Sequence, residues 1–240
     1  MVARANFTTS RNNEDNYGHG THVAGIVAAT DSNGMGVGGV CPGCTILAGK
    51  ILSDTGMRSS SGLANGINWA VQNGAQVINM SLIVGASITL ETAVNNAWNA
   101  GVVLVAAAGN GNSTTMMYPG AYPNVIAVGA TDNNDKKASF STYGTWVDVA
   151  APGVSVYSTF PNHRFVLARE YNRSQGYDIG SGTSMSSPIV AAVAALAWSA
   201  NPGASNWTVR EKVEASTNPI EGVGTFWTHG RVNADLAVHW

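Results

Sequence analysis

The feature that most constrains this chain is an alternation. From about residue 45 onward, short continuous apolar runs are separated by longer stretches whose apolar positions follow helical spacing. Strands that read as unbroken apolar runs are buried on both faces, and parallel neighbours need a crossover helix between them. The pattern therefore implies a mostly parallel, doubly wound α/β sheet with helices on both faces, in three layers. Helices are predicted over 19–29, 62–73 and 90–100, and strands over 45–52, 76–82, 102–107, 125–130 and 146–150. A long alanine-rich helix starts near residue 183, and short helices over 209–215 and 234–238 close the chain. With 240 residues, no linker-like stretch and no internal repeat, residues 1–240 are expected to form one domain.

In open sheets of this kind, sites collect at the carboxyl ends of strands. Three segments predicted to lie there carry chemistry. Gly182-Thr-Ser-Met-Ser-Ser-Pro188 opens the alanine-rich helix, where unpaired N–H groups and the helix dipole favour developing negative charge. Ser184 is thus a candidate nucleophile, although in isolation the segment reads as a Ser/Thr helix cap. Gly18-His-Gly-Thr-His22 opens the first helix, and His19 is a candidate general base because imidazole titrates near neutrality. His22 reads as a packing or structural residue, and the pair lacks the glutamate and spacing of a zinc-protease helix. Ala106-Ala-Ala-Gly-Asn110 ends the most apolar strand, which makes Asn110 a candidate oxyanion donor, with an asparagine turn before Gly111 as the alternative.

Composition excludes other classes. Lys and Arg total 12 against 14 Asp and Glu, with no basic stripe, so neither nucleic acid nor an anionic membrane is an expected partner. No apolar run reads as long enough to span a bilayer, and residues 1–18 show no signal-peptide pattern. The only cysteines are Cys41 and Cys44. Two ligands do not close a zinc site, and a redox pair would open a helix, whereas these precede a strand-like run. A small structural disulfide is the favoured reading, with free thiols as the alternative.

The ordered set His19-Gly-Thr-His-Val-Ala-Gly25, Val77-Ile-Asn-Met-Ser-Leu82, Ala107-Ala-Gly-Asn110, Ala138-Ser-Phe-Ser141, Val149-Ala-Ala-Pro-Gly153 and Gly182–Pro188 resembles the signature segments of subtilisin-like serine proteases. Phe140-Ser-Thr-Tyr-Gly144 and Gly230-Arg-Val-Asn-Ala234 look most like the thermitase branch. The resemblance implies a subtilisin-like fold and a serine endopeptidase of broad specificity, secreted, acting on protein or peptide substrates through an acyl-enzyme. It implies His19 as general base, Ser184 as nucleophile, and Asn110 with the Ser184 backbone N–H as oxyanion hole. Ser81 and Leu82 match one wall of the primary cleft, and Ala107, Ala108 and Gly109 the other. Gly56, Met57 and Arg58 match an edge that pairs with extended substrate, Leu63 with Leu82 a further apolar pocket, and Met117 the base of an apolar primary pocket. A cis peptide is implied at Tyr118–Pro119. No cofactor is implied for catalysis. A structural calcium is implied in loop 30–37, with Asn33 and the carbonyls of Thr30, Met35 and Val37 as ligands.

The chain departs from that pattern in several places. The family's catalytic aspartate lies on a strand about thirty residues before the histidine, and only 18 residues precede His19. Asp15, in a polar run, reads as a solvated loop acid, and Asp148 matches a position outside the triad. Either the chain is a fragment whose N-terminal strand is a separate or omitted piece carrying the aspartate, or it is an impaired relative that keeps only the peptide-binding cleft. The fragment is favoured, because losing a central strand leaves unpaired edges and a slot in the core. Ile83 stands where the family usually has glycine. Residues 162–181 form an insertion expected to be a solvated loop, with exosite or lid as the alternatives.

Overall fold

The computed structural model describes residues 2–240. Its core is a six-stranded sheet in the order β3 (Val77–Met80), β4 (Val103–Ala107), β5 (Ile126–Thr131), β6 (Val149–Pro152), β10 (Arg231–Val232), β9 (Thr217–Asn218). The first five run parallel, and β9 closes the edge antiparallel to β10.

Alternation of side chains along β4 explains the layers. Val103 and Val105 face one cluster with Val190, Val193 and Ala197 of α5 (Thr183–Ala200), while Leu104 and Ala106 face the other. That second cluster is built from α2 (Ser60–Gln72) and α3 (Ile88–Asn99), through Leu63, Ile67, Leu90 and Val94. Helices α1 (His19–Ala28), α6 (Asn206–Ala215) and α7 (Ala234–Val238) pack against α5. Every residue of β4 and β5 is buried, as expected of strands covered on both faces.

The sheet is interrupted. A separate parallel pair joins β1 (Ala3–Asn6) to β2 (Leu47–Lys50), so among the described residues β2 bonds only to β1 and β3 only to β4. Both free-edged strands are only partly covered, unlike β4. Their carboxyl ends are nevertheless stitched together: Arg58 Nε donates to Ile83 O at 2.7 Å and Ser60 Oγ to Gly85 O at 2.7 Å.

Several expectations are revised. Strands 45–52 and 76–82 shrink to four residues each, because their flanks lack a second partner. Strand 146–150 starts at Val149, since Val147 N–H closes a turn onto Gly144 O. Helix α5, at 18 residues, does have the length and composition to cross a membrane, contrary to the sequence reading, but most of it is buried under the sheet. The 162–181 insertion is not a free loop. It holds α4 (Val166–Tyr171) and β8 (Tyr177–Gly180), which pairs with β7 (Val156–Thr159). Phe165 is buried and stacked on Phe160, and Val166 and Leu167 N–H donate to Asn16 and Tyr17 carbonyls. Cys41 and Cys44 are joined in a disulfide.

Asp148 illustrates how burial tunes this core. Burial pushes its carboxyl up to about 6, against the Ala127 N–H bond that lowers it; Glu214 raises it further and Arg210 lowers it. Because the folded value lies above the ordinary 3.8, the carboxyl's contribution to stability is full below that value and is lost as pH rises through 6. The loss amounts to roughly 3 kcal/mol. Asp148→Asn is therefore expected to flatten the fall in unfolding free energy between pH 4 and 6, measured by urea titration at several pH values. Parallel pH profiles for the two proteins would contradict the assignment.

Candidate active site

The candidate site is assembled around the N-terminus of α5. The N–H of Thr183, the first helical residue, lies inside the protein, so a protein atom has to satisfy it, whereas Ser184 is only half-buried. Asn110, just past the end of β4, does this: its Oδ1 accepts from Thr183 N at 2.9 Å and Thr183 Oγ1 at 3.0 Å. Thr183 Oγ1 in turn accepts from Gly109 N at 3.0 Å. With Oδ1 doubly engaged, the Asn110 amide is oriented, and among the described residues neither its Nδ2 nor the Ser184 N–H has a protein acceptor. A Cβ at Gly182 would come within 3.2 Å of Asn110 Nδ2, so glycine at φ 149° keeps that donor open.

Ser184 is held from the other side. A helix interior with Pro188 lacks the N–H that would bond Ser184 O four residues earlier. Ser81 Oγ supplies the missing donor at 2.8 Å, and it accepts from Asn79 Nδ2 at 3.0 Å. Asn79 Oδ1 accepts from Ser187 Oγ at 2.6 Å, closing a network between β3 and α5. Ser184 Oγ donates to Ser81 O at 3.2 Å, and no hydrogen bond joins it to His19.

His19 opens α1, which packs on α5. Asp15 proves to be no solvated loop acid. Its Oδ1 accepts from Gly18 N at 2.8 Å and its Oδ2 from Thr21 N at 2.7 Å and Thr21 Oγ1 at 2.8 Å, so it caps the N-terminus of α1. The capping signal, an aspartate shortly before a Gly-His helix start, was present in the sequence. Burial pushes His19 down to about 4; Asp15 opposes this, and His22 and Arg58 add to it. No carboxylate hydrogen-bonds the His19 ring among the described residues. His22 is fully buried against Phe160, as a packing residue.

The cleft residues fall on neighbouring strand ends. Met80 pairs with Ala106, so Ser81–Leu82 and Ala107–Ala108–Gly109 leave the sheet side by side. Ser81, Ala107, Ala108 and Gly109 are buried, so they offer backbone rather than side chains. Met117 lies against Gly109, where an added Cβ would be 3.3 Å from Met117 Cγ, and Tyr118–Pro119 is cis. Leu63 is 3% exposed and belongs to the core beneath Leu82, so it does not line an open pocket. Gly56 packs on Tyr17, Met57 is exposed, and Arg58 reaches across to Ile83 O. In loop 30–37, Asn33 Oδ1 already accepts from Met35 N at 2.9 Å. The remaining donors are carbonyls of Thr30, Met35 and Val37 beside one carboxylate, Asp31, and no cluster of three metal-binding side chains occurs among the described residues. By itself that set supplies fewer charged oxygens than a tight calcium site uses.

The profile of the Subtilase family (Peptidase_S8) matches residues 3–231. Thermitase from Thermoactinomyces vulgaris is 48% identical over 225 residues, covering 93% of this chain and 75% of that protein. A thermophilic serine proteinase from Bacillus sp. strain AK1 is 47% identical over 221 residues, 92% of this chain but 52% of that protein. The chain thus spans three quarters of the first relative and about half of the second. Among solved structures, a protease from Pseudoalteromonas arctica PAMC 21717 superposes with a TM-score of 0.81 at 35% identity, over 92% of this chain and 70% of that one. A cold-adapted subtilisin-like serine proteinase gives 0.79 at 32% identity, over 97% and 79%.

The hydrogen bond that replaces the Pro188 N–H can be measured. Ser81→Ala is expected to destabilise the fold by about 1–3 kcal/mol, because Ser184 O is left without a donor. In a Pro188→Ala background, where the helix supplies that N–H, the same change is expected to cost clearly less in a double-mutant cycle of unfolding free energies. Equal costs in both backgrounds would refute the assigned role.

Proposed function

The chain belongs to the subtilase family, and from that premise we propose that it is the catalytic domain of a serine endopeptidase acting on proteins and peptides. Broad specificity with an apolar primary pocket floored by Met117 is part of the proposal. The observation that carries it is the pair of free donors, Asn110 Nδ2 and Ser184 N–H, at the start of a helix that presents Ser184. In this reading Ser184 Oγ turns from Ser81 O towards His19, which takes its proton as Oγ attacks the scissile carbonyl. The carbonyl oxygen, now an anion, moves between the two donors. His19 then protonates the leaving amine, leaving an ester on Ser184 that water hydrolyses with His19 again as base. No metal or cofactor takes part in these steps, and loop 30–37 is assigned no calcium-dependent role. The Cys41–Cys44 disulfide supports an oxidising, extracellular setting.

The second reading is a catalytically impaired fragment or pseudoprotease that retains only the cleft. It is favoured by the absence, among the described residues, of a carboxylate partner for His19, whose depressed pKa makes it a weak base. The unpaired edges of β2 and β3 connect the two readings. A further strand from outside residues 1–240, on a separate or omitted N-terminal piece, would complete the sheet there and carry the triad aspartate.

A biotinylated peptidyl phosphonate tests the catalytic reading. Labelling is expected to map to Ser184, to vanish in Ser184→Ala, and to slow by about 100- to 1000-fold in Asn110→Ala, the range known for such a donor in a related enzyme. Folded protein that never labels would leave the second reading standing. The rate is further expected to be flat above pH 5 and to fall as His19 gains its proton near pH 4, because only neutral imidazole accepts the Ser184 proton. A midpoint near neutrality instead would mean that burial does not hold His19 down, and a co-purifying piece in the intact mass would then identify a carboxylate partner as the cause.

A further inference from the structure

The residues after β2 and after β3 face each other with a cation between them. Ser53 ties down the first segment: its Oγ accepts from Met57 N at 3.1 Å, its N–H donates to Met57 O at 2.8 Å, and its O accepts from Gly56 N at 2.9 Å. Gly56 is wedged on Tyr17, two residues before His19 in the chain. Arg58 leaves this fixed turn exposed to solvent and makes no backbone–backbone hydrogen bond of its own among the described residues. Its guanidinium crosses to Ile83 O at 2.7 Å and touches Gly56 O at 3.4 Å. Both partners are neutral carbonyls. Among the described residues no carboxylate pairs with Arg58, so most of its five donors face solvent, and its charge is felt at both His19 and Tyr17.

A peptide that adds to this edge as a strand bonds through main-chain groups and therefore competes for Ile83 O. Where a peptide N–H takes the place of Arg58 Nε on that carbonyl, the Arg58 fork is free for a new acceptor. Ser81 O lies 3.2 Å from Ser184 Oγ, and Ile83 is two residues further along. At about 3.3 Å per residue in extended chain, the substrate residue beside Ile83 lies two positions ahead of the one whose carbonyl is attacked. We propose that Arg58 is a specificity-determining residue that selects a substrate carboxylate at that position, exchanging its bond to Ile83 O for a fork with the acidic side chain. The inference rests on the protease-cleft reading above and adds a substrate class to it. A planar guanidinium matches a carboxylate through two parallel N–H bonds, whereas a neutral amide gains less and an ammonium is repelled.

The test reads binding, not turnover. Fluorescent peptides that differ only in Glu, Gln or Lys two residues ahead of a phenylalanine are titrated by anisotropy onto the Ser184→Ala protein, with and without Arg58→Gln. Glu is expected to bind roughly three- to tenfold more tightly than Gln, and Lys more weakly than either. The order is expected to collapse to within about twofold in Arg58→Gln, and to shrink in about 0.5 M salt. Thermal unfolding of the Arg58→Gln protein checks that the fold is intact. Peptides that bind without ranking by charge, or whose ranking survives Arg58→Gln, overturn the role of Arg58 and leave the cleft standing. If no peptide binds the folded protein, the cleft reading fails and this inference with it.

Discussion

The constraint on which the rest depends is that α5 is a helix without a polar face, buried under the sheet from its first residue. A helix end in water can leave its N–H groups to solvent, but a buried one needs protein partners in fixed places. Asn110 meets that need for Thr183, and in doing so has its amide turned so that Nδ2 points free. Ser81 meets a second need that Pro188 creates at Ser184 O. The candidate nucleophile, the candidate oxyanion donor and one wall of the cleft are thus fixed by the same bonds that let the central helix be buried. Substitutions at these positions bear on stability and chemistry together.

The interrupted sheet acts on a different part of the site. α5 packs across β3, β4, β5 and β6, so the half of the site carried by α5, β3 and β4 is braced by paired strands and a dense core. His19 sits on α1, outside that braced region, and the free edges of β2 and β3 are joined at their ends mainly by side chains, Arg58 and Ser60. The electrostatics follow from the geometry. With no carboxylate on its ring among the described residues, burial dominates and holds His19 down to about 4. The two open donors, Asn110 Nδ2 and Ser184 N–H, are held in place as they stand, whereas among the described residues nothing hydrogen-bonds the His19 ring.

How much of this was legible in the sequence varies with the physics of each element. β4 and α5 declared themselves, because two-sided burial demands an unbroken apolar run and no tertiary partner can disguise it. β1 did not, since Ala3-Arg-Ala-Asn6 sits on a sparsely covered pair and carries no apolar pattern. β7, β8 and α4 were hidden for a similar reason: their order comes from distant contacts, such as Phe165 on Phe160, rather than from local periodicity. The candidate site residues were named from motif wording, whereas Asp15 was misjudged from its polar surroundings, because its three bonds are set by the path of the backbone into α1. Motif wording placed Leu63 at a pocket, when its position on the inner face of α2 commits it to the core.

The insertion shows how His19 is positioned despite lacking a partner. Phe165 packs directly over Gly18, and the first turn of α4 takes up the carbonyls of Asn16 and Tyr17. From below, Thr159 Oγ1 and Ser158 Oγ donate to Thr21 O and His22 O at 2.9 Å and 2.8 Å. With the Asp15 cap, the turn that carries His19 is anchored on three sides, none of which involves its ring. A carboxylate in a triad both orients the imidazole and stabilises its charged form. Here the backbone under His19 is fixed by other groups while its ring is held by none of these bonds, so a carboxylate arriving at the open strand edge would have both tasks. Ring orientation and proton affinity at His19, rather than the placement of its backbone, are therefore the quantities that separate a working protease domain from a folded peptide-binding relative.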